Sequence, residues 1–247
     1  MIVNVLQEGW EVIFQRSHAL LAAQLAAAWA EEHRYHRWTE TLVAIAQHDD
    51  QENYWESAQH ISDIGAPLDF TQVSLETNQI QARTVIANAY QQSLWVALLI
   101  SQHNSFLYAD LRGEDKALDK FLDEQVENQR EWRKILGLTI KEAESAYMPV
   151  RWADRLSLIL CKRELPDKDR SLDIAPGPDG EITRVRQRTD GTISLQPWIF
   201  MADTMEFSIE ARIIKQAAFA SEAAFHEAVN GAEIVTRVWR FVKESQG

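Results

Sequence analysis

The sequence predicts an α+β protein, mainly α, in which a helical core is joined by a small antiparallel sheet. Apolar residues recur at helical spacing through most of the stretch from about 17 to 161. Short β-branched and aromatic runs stand at both ends of the chain. Between the helical part and the last strands lies LPDKDRSLDIAPGPDGE, a polar stretch punctuated by proline and glycine.

Taken in order, Ile2 to Leu6 and Trp10 to Phe14 flank a turn at Gly9 and read as a β-hairpin. Ser17 is the expected cap of a first helix on which Leu21, Leu25, Ala28 and Trp29 share a face. A second helix follows Thr39, buries Leu42, Ile45 and Ala46, and ends close to His48-Asp49. Residues 50–75 lack a sustained period and read as a long loop or broken helix, a kind of segment that is often functional. From Thr77 to about Ala109 the pattern gives two helices or one kinked helix. The stretch from Glu114 to Leu136 is a charged amphipathic helix with Leu118, Phe121, Leu122, Val126 and Trp132 inward. Thr139 to Cys161 forms another, bent or interrupted at Pro149.

Beyond the polar stretch, residues 181–188, TISLQPWIF and MEFSIEARII read as strands, with Asp190-Gly191 turning the first hairpin. A short helix over 221–230 and a last strand with Val235, Val238 and Phe241 complete the pattern. The N-terminal hairpin is expected to join the C-terminal strands, because an isolated hairpin is marginal in water. The expected division is a helical core with its hairpin over 1–163, a linker over 164–180, and a β-rich subdomain over 181–247 packed on the core.

Composition narrows the function. Of 247 residues, 46% are apolar and 25% charged, a mixture that packs a core. The net charge of −12 opposes general nucleic-acid binding, whereas a divalent cation in an acidic pocket still permits a small phosphorylated partner. With Cys161 the only cysteine, neither an intramolecular disulfide nor a multi-cysteine zinc site can form. The segment MIVNVLQEGWEVIFQ lacks the features of a signal peptide, and no apolar run is long enough to span a bilayer, so a cytoplasmic protein without a membrane role is expected. Exposed strands leave a homo-oligomer open.

Five residues suggest chemistry: His18 on the first helix, His48 and Asp49 at the end of the second, His103 later, and Asp154 on the last helix of the core. Two imidazoles and two carboxylates brought together from different helices suit a divalent metal such as Mn, Fe, Ni, Co or Zn. His33 and His36, beside Glu31 and Glu32, read as solvated instead.

This order of residues resembles the HD superfamily of metal-dependent phosphohydrolases, whose signature is a single His, a His-Asp doublet and a distant Asp on successive helices. The matching positions are His18, the doublet in IAQHDD, and Asp154 in ADRLSL. His103 is similar to the extra histidine of members that hold two metals. The chain also resembles a bacterial family of uncharacterised proteins sharing HALLAAQLA, QHDD and DRLSL. The resemblance implies an HD-like helical bundle, with metal ligands His18, His48, Asp49, His103 and Asp154. It also implies metal-assisted attack of water on phosphorus, with Asp49 both binding the ion and orienting the water. Many HD enzymes follow the doublet with Gly-Lys, but here Asp50-Gln51-Glu52 follows. Substrate contacts are therefore expected from Arg83, Arg151 or Arg155, with Trp55 as a pocket wall or stacking surface. Three functional readings stand: a hydrolase of a nucleotide or other small phosphorylated metabolite, a catalytically silent HD-like module binding a small ligand or partner protein, and a diiron redox or oxygenase-type protein.

Overall fold

A computed structural model describes residues 1–50, 59–168 and 170–244. It is an α+β structure. The first hairpin pairs β1 (Ile2–Leu6) with β2 (Gly9–Ile13), and the chain passes from it into α1 (Gln15–Ala27) and α2 (Trp38–Gln47). Next come α3 (Leu75–Gln92), α4 (Leu94–Tyr108), α5 (Lys116–Leu136) and α6 (Ile140–Cys161). The remainder is β3 (Ser171–Pro176), β4 (Ile182–Gln187), β5 (Ile193–Gln196), β6 (Thr204–Ile214), α7 (Glu222–Asn230) and β7 (Glu233–Val242).

One seven-stranded sheet gathers both ends of the chain in the order β1-β2-β6-β7-β5-β4-β3. The expectation of a purely antiparallel sheet is corrected, because β5 lies parallel to β7, with Ile193 opposite Phe241. The reason is directional: β6 runs opposite to β5, and β7 pairs with β6 antiparallel from Ile213↔Glu233 to Thr204↔Val242, so β7 again runs in the direction of β5. The Asp190-Gly191 turn forms as expected between β4 and β5, where Gly191 takes φ 81° and Asp190 accepts from the Thr192 amide at 3.0 Å.

Period two along β2 places its residues on opposite faces. Ile13 joins the large core, where α1 packs on β6 and α6 on β3, while Val12 joins a smaller cluster with Ile214, Phe219, Phe225 and Val229 beneath α7. At the heart of the large core, Phe200 meets Trp152, Phe207 and Phe241 at ring separations of 6.2, 5.2 and 5.6 Å. Helices and sheet therefore share one interior.

Several local expectations are corrected. Helix α1 starts before Ser17, with Phe14 at its N-cap, because the amides of Ser17 and His18 both bond the Phe14 carbonyl at 3.0 Å. Residues 164–180 are not all linker: β3 lies within them, edge-paired to β4. Val126 is exposed, and the inward position on that part of α5 belongs to Gln125, whose carboxamide accepts from Ser101 at 3.0 Å. On β7 the inward alternation runs through Val235, Trp239 and Phe241, leaving Val238 exposed. Helix α6 continues through Pro149 without interruption. Among the described residues no helix is long and apolar enough to cross a membrane.

Candidate metal centre

Three helices deliver the candidate residues to one point. His18 shares a face of α1 with Leu21, Ala22 and Leu25, at the helical spacings that point into the core. His48 caps the C-terminus of α2 while keeping helical angles, φ −58° and ψ −30°. Adjacent side chains on a helix diverge by about 100°. At this helix end His48 is sealed within the protein, while Asp49 borders a cavity of about 320 Å³. On α6, Asp154 and Ser157 stand one turn apart on the side facing α1.

The resulting cluster is buried. His18 Nε2 lies 3.0 Å from Asp49 Oδ2 and 3.5 Å from Asp154 Oδ1, while His48 Nε2 lies 3.6 and 3.2 Å from the same two oxygens. The four ligand atoms all fall within 4.8 Å of one another. An ion about 2.0–2.2 Å from nitrogen and oxygen ligands would set neighbouring ligand atoms roughly 3.0–3.5 Å apart, close to the separations found.

Hydrogen bonds around the cluster fix which ring atoms face inward. His48 Nδ1 donates to the Ile45 carbonyl at 2.6 Å. Ser157 Oγ donates to the Asp154 carbonyl at 2.8 Å, which leaves the Ser157 hydroxyl oxygen to accept from His18 Nδ1, also at 2.8 Å. In the neutral tautomers, both Nε2 lone pairs therefore point at carboxylate oxygens. Four acceptors facing one another require a proton or a cation between them, and the same outer hydrogen bonds orient imidazoles as metal ligands. Gln15 Nε2 adds a hydrogen bond to Asp49 Oδ2 at 3.0 Å.

Without a metal, protons take up this demand. Burial alone would lower the pKa of His48, but the charge of Asp49 and the hydrogen bond and charge of Asp154 outweigh it and raise it to about 9. Burial would raise Asp49 and Asp154, yet the neighbouring histidines hold both below the ordinary carboxylate range. His103 behaves oppositely. Burial lowers it to about 4, against the pull of Asp154, so it is neutral at pH 7.

The structure brings His18, His48, Asp49 and Asp154 together and places His103 beside them. The His103 ring lies 4.8 Å from that of His48, its Nδ1 is 3.2 Å from the Tyr147 hydroxyl, and it lines the cavity outside the four-residue cluster. The three arginines lie elsewhere. Arg83 pairs with Glu124, Arg151 lies 4.4 Å above the Phe106 ring, and Arg155 bonds Glu164 at 3.2 Å. None of them lines the cavity, because each side chain is engaged on an outer helix surface or helix end. Trp55 lies outside the described residues. Among the described lining residues there is no lysine or arginine; Gln15, Gln72, Ser74, Thr77 and Asn78 supply much of the polar wall. Sequence reasoning missed Gln15 and Ser157, although each sits three residues from a ligand candidate on a helix, a spacing that puts them on the same face.

The fold and this cluster define an α+β protein with a buried two-histidine, two-carboxylate centre at a helix junction. A family model described as protein of unknown function (DUF3891) matches residues 1–216, and the chain belongs to that family. No curated protein and no solved structure matches the chain significantly.

Proposed function

We propose that the protein is a cytoplasmic, metal-dependent hydrolase of phosphoester bonds, of the HD type, acting on a nucleotide or other small phosphorylated metabolite. One observation carries the reading: the Nε2 atoms of His18 and His48, with their Nδ1 atoms already committed, converge with Asp49 and Asp154 beside a cavity. The single histidine, the doublet and the distant aspartate come from α1, the end of α2 and α6, which is the order of the HD signature.

His18, His48, Asp49 and Asp154 would hold the ion. A divalent ion in that setting supplies polarisation of a phosphoryl oxygen and a lower pKa for water. Asp49 faces both the cluster and the cavity, and its oxygen is positioned by Gln15 and His18. Because its pKa is held low, Asp49 acts as an orienting acceptor for water rather than as a proton store. Neutral His103 presents an uncharged imidazole to the same space.

A second reading, a silent module that binds a small neutral ligand, is favoured by the absence of cationic side chains from the described cavity wall. The two are separated by assaying manganese-, iron- or nickel-loaded protein against a panel of nucleotides and phosphomonoesters. The hydrolase reading expects turnover that falls at least about 100-fold in Asp49→Asn. Saturable ligand binding without turnover in metal-loaded protein would replace it with the second.

A further inference from the structure

A second group of nitrogen and oxygen donors adjoins the cavity through one of its members. His60 lines the cavity that also contains Asp49, His103 and Asp154. Its loop is fixed by several contacts. Gly65 adopts φ 79°, and its carbonyl accepts from the Phe219 amide at 2.8 Å; a Cβ at Gly65 would lie 2.2 Å from the Phe219 carbonyl oxygen. On the facing helix α7, Glu222 and His226 are four residues apart and project from one side. The Glu222 carboxylate accepts from the His60 amide at 3.0 and 3.1 Å and from the Ile61 amide at 3.1 Å. That arrangement leaves Oε2 3.6 Å from His60 Nδ1 and 3.8 Å from His226 Nε2, and the two ring nitrogens are 3.1 Å apart.

We propose that His60, Glu222 and His226 form a second divalent-metal site, distinct from the four-residue centre, for a zinc-like ion with two imidazole ligands and one carboxylate. The separations of 3.1, 3.6 and 3.8 Å bracket the edge of roughly 3.3 Å expected for four-coordinate nitrogen and oxygen ligands. The close approach that lets one ring donate to the other also lets both lone pairs address one ion. Backbone amides already orient the carboxylate, the kind of outer support that metal ligands use. All three residues are partly buried, in contrast to the four buried residues of the central cluster. Such an ion ties the cavity-lining loop to α7. Glu222 and His226 also show a signal legible in the sequence, a Glu and a His four residues apart on one helix.

Cobalt(II) is the probe, because its visible absorption reports coordination by nitrogen and oxygen ligands. Full-length, untagged, chelator-stripped wild type is titrated beside His226→Gln, Glu222→Gln and Asp154→Asn. His226→Gln keeps a hydrogen-bonding group near His60, and Glu222→Gln keeps a carbonyl for the two loop amides, so each preserves part of the loop contact. The expected result is cobalt absorption in wild type of which one equivalent is lost in His226→Gln and Glu222→Gln and kept in Asp154→Asn, while a separate equivalent, assigned to the central cluster, is lost in Asp154→Asn alone. Wild type with no cobalt absorption, or His226→Gln with the same equivalents and spectrum as wild type, overturns the site. Because the equivalent assigned to the central cluster is the one lost in Asp154→Asn, either site can fail without the other.

Discussion

His48 is engaged at both ring nitrogens: its Nδ1 is committed to the Ile45 carbonyl, and its Nε2 faces carboxylates of Asp49 and Asp154. In metal-free protein this raises its pKa from 6.5 to about 9. Above pH 6.5 the unfolded chain has released that proton while the folded protein still holds it. The stabilisation is therefore complete below 6.5 and lost as pH rises through about 9. His103 and His60 are both lowered to about 4, in each case chiefly by burial. Their contribution has the opposite sign: it is present above 6.5 and lost as pH falls toward 4. Chelator-treated protein should accordingly show its highest urea midpoint near pH 6.5, with a fall on each side. Metal loading should remove the alkaline fall, since an ion on His48 Nε2 replaces the proton. A midpoint in chelated protein that climbs steadily from pH 6.5 to 9 would contradict this account of His48.

Helix α6 carries Asp154 and Ser157, and its position depends on how it begins. Thr139 accepts from the Glu142 amide at 3.2 Å while Glu142 accepts from the Thr139 amide at 2.8 Å, a reciprocal cap. Thr139→Ala should lower stability by about 1 kcal/mol in urea denaturation while leaving metal stoichiometry unchanged, because the far end of the helix is held by its own packing. Loss of metal at full folding would show that the cap positions the site directly. At this scale the sequence was informative where period and punctuation agreed: the first hairpin, the Asp190-Gly191 turn, and α5, α6 and α7. It was less so where tertiary contacts decide. Ser17 was a plausible cap, but the chain leaves β2 already turning into α1. β3 was hidden in a proline- and glycine-rich stretch because it is an edge strand that needs only β4 as partner. Likewise, the charged arginines signalled a phosphate contact only by type, and their positions depend on partners such as Glu124 and Glu164, which no local pattern gives.

Across the whole molecule, the four-residue cluster forms only because α1, α2 and α6 are packed in one interior that also includes the inner face of the sheet. The four candidate ligands were legible in the sequence as residue types on three separate helices, α1, the end of α2 and α6. The convergence of their Nε2 and carboxylate atoms, and the commitment of the opposite ring nitrogens, depend on contacts across more than a hundred residues, such as Ser157 with His18 and His48 with Asp154. The second site proposed at His60, Glu222 and His226 likewise needs segments far apart in the chain to meet. The most direct test is elemental analysis of untagged protein purified without chelators, for wild type, His48→Ala and Asp154→Ala, with circular dichroism to confirm folding. The account predicts a near-stoichiometric divalent metal in wild type that is lost in both folded variants; wild type that is metal-free and does not reload with manganese, iron or nickel would contradict it.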